Sequence, residues 1–412
     1  MDFRWSAEDE AFRDEVRSWL KDNLVGEYAA LGGGGGPADE TGWDVRLEWE
    51  KKLGEAGWIG LGWPKEYGGR GATITQQLIF NEEYAKANAP ARVSFFGEGL
   101  LGPTLIAFGT EEQKQRFLPG ILKATELWCQ GFSEPDAGSD LANVKTRAIL
   151  DGDEWVVNGQ KVWTTLAHHA DWIFNVVRTD PDAGRVGEAG VPAGTSGSGG
   201  VAKHKGLSFL LMPMDQPGIE VKPLKQLTGS AEFNEVFFTD ARTGADLVVG
   251  NVNEGWKVAM GTLGFERGTA FLAQQLRFEQ ECREVIEYAK KHDLAGDAIV
   301  RQKLADAWIG VQIMKYNGFR SITQLLATGS PGPEASIGKL YWSHWHRHLG
   351  ELEMELMGPW SEVLAERPYE LEEFQSSFLL SRAETIYTGS TEIQKNIIGE
   401  RVLGLPREPA AS

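Results

Sequence analysis

The sequence has few positively charged residues and few cysteines. Across 412 residues, 41 Lys and Arg stand against 59 Asp and Glu, which gives a formal net charge of −18 at pH 7. This balance argues against a nucleic-acid partner, because binding to phosphates requires a basic face. Cys129 and Cys282 are too few for a disulfide framework or a cysteine metal motif. We expect both cysteines to be small buried residues in a reducing cytoplasm.

The sequence also lacks a run of eighteen apolar residues, and residues 1–20 lack the apolar stretch of a signal peptide. We therefore expect neither a membrane span nor export, and we expect a cytoplasmic location. Hydrophobic residues make up 42% of the chain, which is ordinary for a soluble globular enzyme. A chain of this length can bury a large core and divide into two or three subdomains.

The first 125 residues show mainly the apolar spacing of amphipathic helices. Helices are predicted over residues 7–24, 43–57, 76–87 and 110–121. Thr110 is followed by Glu111 and Glu112, which is the pattern of a capped helix start. The glycine-rich stretch 31–39 is typical of a surface loop.

Short runs of β-branched and aromatic residues follow, separated by Gly, Asp, Asn and Pro, and they predict a β domain. The predicted strands are 127–132, 146–150, 154–157, 172–178, 207–213 and 233–238. The dipeptide Asn158-Gly159 predicts a hairpin-like turn directly after the third of these strands. Residues 180–205 are rich in Gly, Ala and Ser, and they predict a loop between two strands.

Helical patterns then return and predict a bundle. They cover residues 256–292, 298–326, 336–357 and 369–384, with a last helix from Ser390. The sequence therefore predicts an α+β multidomain fold. Its parts are a helical N-terminal domain over 1–125, a central β domain over 126–245 and a C-terminal helical bundle over 246–412. No glycine-rich dinucleotide or phosphate-loop motif supports a Rossmann fold or a nucleotide hydrolase.

Two segments of the predicted β domain are candidate binding elements. Residues 131–140 form a turn-like run with small and hydroxyl residues, whose backbone N–H groups can bind a polar ligand. A capped connection between elements is the alternative interpretation. The second segment is 158–165, in which Trp163 is followed by Thr164 and Thr165. A tryptophan beside two hydroxyls suits one flat ring with polar edges.

Together these segments resemble the flavin-binding β subdomain of the acyl-CoA dehydrogenase family. The resemblance extends through residues 105–119, 233–238 and 382–401. It implies the family fold, with a helical N-terminal domain, a central β-barrel-like domain and a C-terminal four-helix bundle. It also implies FAD as the cofactor. The FAD contacts that it implies are Phe132, Ser133, Gly138, Ser139, Trp163, Thr164, Thr165, Thr388, Gly389, Ser390 and Glu392.

The same resemblance raises the question of the catalytic base. Residues 386–394 resemble the family's tyrosine-x-glycine-threonine segment, in which many members carry a glutamate base at x. Here Thr388 occupies x, and a threonine holds no negative charge at neutral pH. Glu266 lies in an apolar helical stretch that resembles the site of the base in isovaleryl and long-chain members. The resemblance assigns Glu266 as the base, whereas the residue type alone favours an ion pair or a surface acid.

The resemblance gives Arg267 a role beside Glu266, either orienting the base or stabilising the site. It implies that Ser139, Arg267 and Thr388 contact the substrate. In the family, a base removes the α proton of a thioester, FAD accepts the β hydride, and donors polarise the thioester carbonyl. These donors are a flavin ribityl hydroxyl and a backbone N–H beside the usual base position.

The implied activity is FAD-dependent α,β-desaturation of an acyl-CoA thioester to a trans-2-enoyl-CoA, a β-oxidation step of lipid metabolism. Electrons would pass to an electron-transferring flavoprotein. Residues 125–131 and 403–408 resemble most closely the actinobacterial dehydrogenases of steroid breakdown. They therefore favour a bulky, steroid-derived acyl group. A homotetramer or homodimer is implied, with a heterotetramer as the alternative assembly.

Two family contacts to FAD depart from the usual pattern. The arginine-x-x-phenylalanine-glycine motif becomes a run that begins with His292, and the glutamine of a second motif becomes Glu355. A non-catalytic or half-site subunit of a heteromeric dehydrogenase is therefore an alternative, and an acyl-CoA oxidase is another. His344 and His348 share one helical face, but a structural zinc site needs four ligands, so no metal is expected.

Overall fold

The computed structural model describes residues 5–33, 42–183, 202–265, 270–328, 332, 335–364 and 371–407, with only the backbone for 270–273. The chain divides into two compact units. Unit 1 comprises residues 1–77, 86–225 and 230–266, and unit 2 comprises residues 78–85, 226–229 and 267–412. Most of each predicted loop, 31–39 and 180–205, lies outside the described residues.

Seven helices are described in the first 265 residues. They are α1 (Ala7–Asn23), α2 (Glu27–Leu31), α3 (Trp43–Glu55), α4 (Ile74–Lys86), α5 (Gly102–Phe108), α6 (Glu111–Leu122) and α7 (Gly255–Phe265). The helix start predicted at Thr110 is confirmed, because its hydroxyl accepts a hydrogen bond from the Gln113 N–H at 3.2 Å. The four helices predicted before residue 125 are confirmed to within two residues at each end.

The β region of unit 1 is one eight-stranded sheet. Its strands are β1 (Trp128–Gly131), β2 (Arg147–Asp151), β3 (Glu154–Thr165), β4 (Trp172–Arg178), β5 (Leu207–Pro213), β6 (Ile219–Leu224), β7 (Phe233–Gly244) and β8 (Val248–Val249). The order is β6-β7-β3-β2-β4-β5-β8, and β1 pairs in parallel with β4. The sequence patterns identify every strand except β6 and the two-residue β8.

The predicted hairpin-like turn at Asn158-Gly159 is wrong, because β3 continues through both residues. The turn between β2 and β3 lies instead at 152–153. The Asn158 side chain bonds across to β7, where its Oδ1 accepts the Asp240 N–H at 3.0 Å. A Cβ atom at Gly159 would lie 2.5 Å from the Thr146 Oγ1 atom. The glycine is therefore required by the close approach of a neighbouring strand rather than by a turn.

Apolar side chains cover both faces of the sheet in unit 1. On one face, Phe174 and Phe209 pack with Leu105, Phe117 and Val258 from helices α5, α6 and α7. The other face holds a second cluster that includes the fully buried Cys129. The apolar residues of β4 alternate between the two clusters, which explains why the strand is apolar on both faces except at the buried Asn175.

Unit 2 contains residues 78–85 of α4, and five further α-helices are described in it: α8 (Ala270–Lys291), α9 (Ala298–Thr328), α10 (Ala335–Met357), α11 (Glu373–Ala383) and α12 (Thr391–Ile397). Helix α10 contacts α8, α9 and α11 around a core that contains Phe278, Cys282 and Trp345. Both cysteines of the chain are buried and free, as predicted. The helix predicted over 256–292 is described as α7 and α8, and residues 266–269 lie outside the described residues. Within the described part of the chain, no helix is long and apolar enough to cross a membrane.

Helices α9 and α10 approach closely at Gly310. The Trp345 Nε1–H donates to the Ala307 carbonyl at 3.0 Å, and a Cβ atom at Gly310 would lie 2.3 Å from Trp345 Cδ1. We expect Gly310→Ala to lower the free energy of unfolding by about 1–3 kcal/mol through overpacking. This is the opposite of the gain of about 1 kcal/mol expected from helix propensity alone. Urea denaturation measures it, with Gln302→Ala on the exposed face of α9 as the control. A stabilised Gly310→Ala variant would contradict this packing.

Candidate active site

A fully buried lysine joins the two candidate binding segments of unit 1. Lys161, on β3, has 0% exposure. Its Nζ atom donates to the Phe132 carbonyl at 3.1 Å, to Glu134 Oε1 at 2.8 Å and to the Val176 carbonyl at 2.7 Å. The backbone N–H of Val162 also donates to the Ser133 carbonyl at 3.0 Å. These bonds hold the start of segment 131–140 against β3 and β4.

The partner carboxylate of this lysine is held by several donors. The two oxygens of Glu134 also accept the backbone N–H groups of Lys145 at 2.6 Å and Thr146 at 3.0 Å. Burial alone would raise the pKa of Glu134, but the charge of Lys161 and these hydrogen bonds keep the pKa below its usual value. Burial lowers the pKa of the Lys161 ammonium, and Glu134 offsets part of that effect. The pair is therefore a buried, hydrogen-bonded ion pair.

Trp163 occupies a bulge at the end of β3. The pairing of β3 with β7 shifts register between Lys161 and Thr164, and Trp163 lies in the left-handed region with φ +60°. Because one extra residue of β3 fits into this stretch, Lys161 and Thr164 lie on the same face of the strand and are both fully buried. The Trp163 ring is 58% exposed and meets Phe233 edge-on at a centroid distance of 5.9 Å. A bulky side chain at positive φ is uncommon and is typical of functional sites.

The other predicted residues of unit 1 lie around this bulge and on the adjoining loop. Ser133 and Thr165 are half-buried, whereas Gly138 and Ser139 are exposed. The ring of Phe132 packs in the core against Phe174 and Phe209, so it is directed away from solvent. The structure therefore brings the Phe132–Ser133 end of the first segment to β3.

The predicted residues of unit 2 form a turn between α11 and α12. Thr388 has φ +51° and Gly389 has φ +95°, and neither N–H donates a hydrogen bond within the described residues. Ser390 is the N-cap of α12, and its hydroxyl accepts the Ile393 N–H at 3.4 Å. Glu392 is exposed in the first turn of that helix. The turn therefore presents two unpaired backbone donors at Thr388 and Gly389.

The predicted base and its neighbour, Glu266 and Arg267, lie outside the described residues. Of the two altered family contacts, His292 stacks on Tyr288 at a centroid distance of 4.2 Å, and Glu355 accepts Lys303 Nζ at 2.6 Å. Lys303 therefore compensates part of the negative charge that Glu355 introduces. Across the described residues, no group of three or more His, Cys, Asp and Glu side chains can hold a metal ion.

Sequence reasoning missed the buried pair of Lys161 and Glu134. Lys161 follows the buried residues Trp155 and Val157 at even spacing on β3, but the predicted strand ended at residue 157, so this spacing was not recognised. The partner could not be identified in this way, since it lies 27 residues earlier in a loop.

Replacing Lys161 tests how much its ion pair with Glu134 stabilises unit 1. Lys161→Met leaves the Glu134 carboxylate buried without its cation, so we expect the free energy of unfolding to fall by about 3–5 kcal/mol. Lys145→Met is the matched control, because Lys145 and Asp136 form an ion pair whose side chains are 69% and 72% exposed. We expect the control to change the free energy by no more than about 1 kcal/mol. If denaturant titrations showed the same decrease in the free energy of unfolding for Lys161→Met and Lys145→Met, the buried pair would stabilise unit 1 no more than the exposed one.

Family models and known relatives match nearly the whole chain. Residues 6–125 match the acyl-CoA dehydrogenase N-terminal domain, 129–241 the middle domain and 253–403 the C-terminal domain. Acyl-CoA dehydrogenase IpdE1 from Mycobacterium tuberculosis is 50% identical over 97% of this chain and 98% of its own length. The namesake from Mycolicibacterium smegmatis is 51% identical over 96% of this chain and 98% of its own.

Two solved structures share the fold at lower identity. A structure named Tcur3481-Tcur3483 steroid ACAD is 30% identical with a TM-score of 0.82, covering 99% of this chain and 100% of its own. The ChsE4-ChsE5 complex from Mycobacterium tuberculosis is 31% identical with a TM-score of 0.78, covering 99% and 100%. The expected arrangement of helical terminal domains around a central sheet domain is thereby confirmed. The chain belongs to the acyl-CoA dehydrogenase family of oxidoreductases.

Proposed function

We propose that this acyl-CoA dehydrogenase uses FAD to desaturate an acyl-CoA thioester between Cα and Cβ, forming a trans-2-enoyl-CoA. The observation that carries the proposal is the bulge of β3. It exposes the Trp163 ring beside Thr164 and Thr165 while a buried lysine holds segment 131–140 alongside. A flat ring with polar edges suits such a surface.

The residues around the bulge fit a flavin. Trp163 is exposed and Thr165 is half-buried, so a flat ring and a hydroxyl are accessible there, and the buried Oγ1 atom of Thr164 has no hydrogen-bond partner among the described residues. When bound, FAD supplies the acceptor for the β hydride. The residues proposed to hold it are Phe132, Ser133, Gly138, Ser139, Trp163, Thr164, Thr165, Thr388, Gly389, Ser390 and Glu392. Because the Phe132 ring is in the core, its contact would be made by the backbone.

Residues of the chain itself are proposed to remove the α proton, to polarise the thioester carbonyl and to bind the substrate. Glu266 removes the α proton, and Arg267 orients it or stabilises the site. The unpaired N–H groups of Thr388 and Gly389 are suited to donate to the thioester carbonyl, whose polarisation makes the α proton acidic enough to remove. Ser139, Arg267 and Thr388 contact the substrate. Since Thr388 holds no charge at neutral pH, the turn contributes backbone donors and the base comes from another position.

We propose a bulky, steroid-derived acyl group as the substrate and an electron-transferring flavoprotein as the electron acceptor. One of the similar solved structures is named a steroid ACAD, which supports this substrate class. We further propose a cytoplasmic enzyme with the domain limits 1–125, 126–245 and 246–412. The proposed assembly is a homotetramer or homodimer.

The second candidate is a half-site subunit of a heterotetramer. His292 in place of an arginine favours it, and the names of two similar structures each join two proteins. The visible spectrum of the chain purified alone separates the candidates. A stable but colourless protein that binds added FAD only with a partner chain would support the half-site subunit. The same result would contradict an enzyme that binds FAD by itself.

Replacing Glu266 tests the assignment of the base. We expect Glu266→Gln to retain bound FAD but to slow flavin reduction by substrate by about 10²–10⁴-fold, because an amide cannot accept the α proton. Stopped-flow bleaching of the flavin measures this rate, with the exposed Glu287→Gln of α8 as the control. Adding Thr388→Glu to Glu266→Gln should restore part of the rate if both positions reach the same proton. Normal reduction in Glu266→Gln would end the assignment.

A substrate panel tests the proposed acyl group. We expect anaerobic bleaching of the flavin to be faster with steroid-derived, ring-bearing thioesters than with straight or branched chains. A difference of one decade in kcat/KM corresponds to about 1.4 kcal/mol of transition-state binding, which a few ring contacts can supply. Faster bleaching by a straight-chain thioester would contradict the proposed substrate class.

A further inference from the structure

Unit 2 buries a group of acidic side chains around one histidine. His346 of α10 is 4% exposed and lies against Phe278, with ring centroids 4.6 Å apart. Glu384 at the end of α11 is 3% exposed, and Glu353 on α10 is wholly buried. Charged side chains are rarely buried in a bundle core unless they are paired. We therefore expect His346 and these carboxylates to be paired with one another.

Both ring nitrogens of His346 face a carboxylate. Nδ1 lies 2.5 Å from Glu384 Oε2, and Nε2 lies 3.0 Å from Glu281 Oε1 on α8. The Ser377 hydroxyl of α11 donates to the same Glu281 oxygen at 2.6 Å. Burial alone would lower the pKa of His346, but the two carboxylates raise it to about 10. The ring is therefore an imidazolium that donates to both carboxylates.

One of these carboxylates also anchors the turn that carries Thr388 and Gly389. Glu384 is the last residue before the turn, and its Oε1 accepts the Tyr387 hydroxyl at 3.3 Å. Its backbone carbonyl accepts Lys339 Nζ from α10 at 2.6 Å. The two oxygens of the Glu384 side chain thus connect His346 on one side to the turn on the other.

Helix α10 reaches the far end of the same turn as well. His344 Nε2 lies 3.2 Å from the Thr391 Oγ1 atom, and the Thr391 N–H donates to the Thr385 carbonyl at 3.0 Å. The turn is thus held at its two ends, and Gln394 Nε2 donates to the Thr388 and Gly389 carbonyls at 3.4 and 3.3 Å. The N–H groups of those two residues have no partner among the described residues. Glu384 is therefore one of the contacts that fix the positions of those donors, together with Gln394 and His344.

We propose that His346 is a positioning residue of the dehydrogenation reaction, which acts by holding Glu384 and thereby fixing the turn that carries the Thr388 and Gly389 N–H groups. This proposal rests on the proposed function, in which these groups donate to the thioester carbonyl. A displacement of about 1 Å in a group that orients the substrate can lower the rate about 10²-fold. A histidine without contact to substrate can therefore control kcat.

Two isosteric substitutions separate the two contacts of His346. The amide nitrogen of an asparagine can replace Nδ1, and that of a glutamine can replace Nε2. His346→Asn therefore keeps the donor to Glu384 and loses the donor to Glu281, whereas His346→Gln does the reverse. Both variants remove the buried cation, so a merely structural role predicts equal effects. The exposed His348→Gln on the same helix is the control.

Hydrogen–deuterium exchange and steady-state kinetics on the full chain decide the question. We expect the peptide spanning Thr385–Gln394 to exchange about tenfold faster in His346→Gln, whereas in His346→Asn it should exchange as in the wild type. In the FAD-loaded enzyme we expect kcat to fall about 10–100-fold in His346→Gln, with a smaller change in KM, and to stay near wild type in His346→Asn. Equal exchange and equal kcat in the two variants would overturn the proposal.

The exchange measurement also separates this proposal from the proposed function. If the wild-type enzyme dehydrogenates no thioester, the proposed function fails, and the exchange comparison alone decides whether His346 fixes the turn. If His346→Gln does not fold, Glu384→Ala replaces it, because it removes the link and leaves the contact of His346 with Glu281. Faster exchange of the turn in Glu384→Ala supports the proposal, and unchanged exchange overturns it.

Discussion

The ion pair of Lys161 and Glu134 is the interaction on which the proposed flavin surface depends. Burying two charges costs several kcal/mol for each ion, and their attraction repays this only when the remaining hydrogen bonds are satisfied. Here Lys161 has three acceptors, and Glu134 has two further backbone donors. Two of the lysine's acceptors are carbonyls on other segments, so the pair fixes the path of the backbone as well as a charge.

That fixed path makes the unusual conformation of Trp163 possible. A non-glycine residue in the left-handed region costs about 1–3 kcal/mol and persists only where its surroundings determine it. The flanking residues Lys161 and Thr164 are both buried and pair with β7, so the backbone on either side of Trp163 cannot relax. Within β3 the strain therefore lies at Trp163, whose ring is exposed beside the proposed flavin contacts, and Leu166 just beyond the strand is also in the left-handed region.

Local sequence patterns were sufficient for most helices and strands but not for the details that shape the site. Capping residues such as Thr110 act within one turn of the chain, so the prediction of the helix start was confirmed. Asn158 bonds to Asp240, which is 82 residues away, and no local pattern indicates such a partner. The pairs of Lys161 and His346 were missed for the same reason. The proposed base at Glu266 rests on family resemblance, and it stays a prediction.

In each unit, cationic side chains bind a backbone carbonyl and a carboxylate at the start of a loop. In unit 1, Lys161 binds the Phe132 carbonyl and the Glu134 carboxylate, and in unit 2, Lys339 and His346 bind the carbonyl and the carboxylate of Glu384. In unit 1 one buried cation fixes both the backbone and a side chain, whereas in unit 2 two cations on α10 fix the backbone and the side chain of Glu384 separately. Beyond the anchor of unit 2, the N–H groups of Thr388 and Gly389 have no partner among the described residues. Separating Lys161 from Glu134, or His346 from Glu384, would leave a buried charge without its partner, which is costly. Each pair therefore has one favourable arrangement, and donors held in one arrangement are preorganised for a ligand.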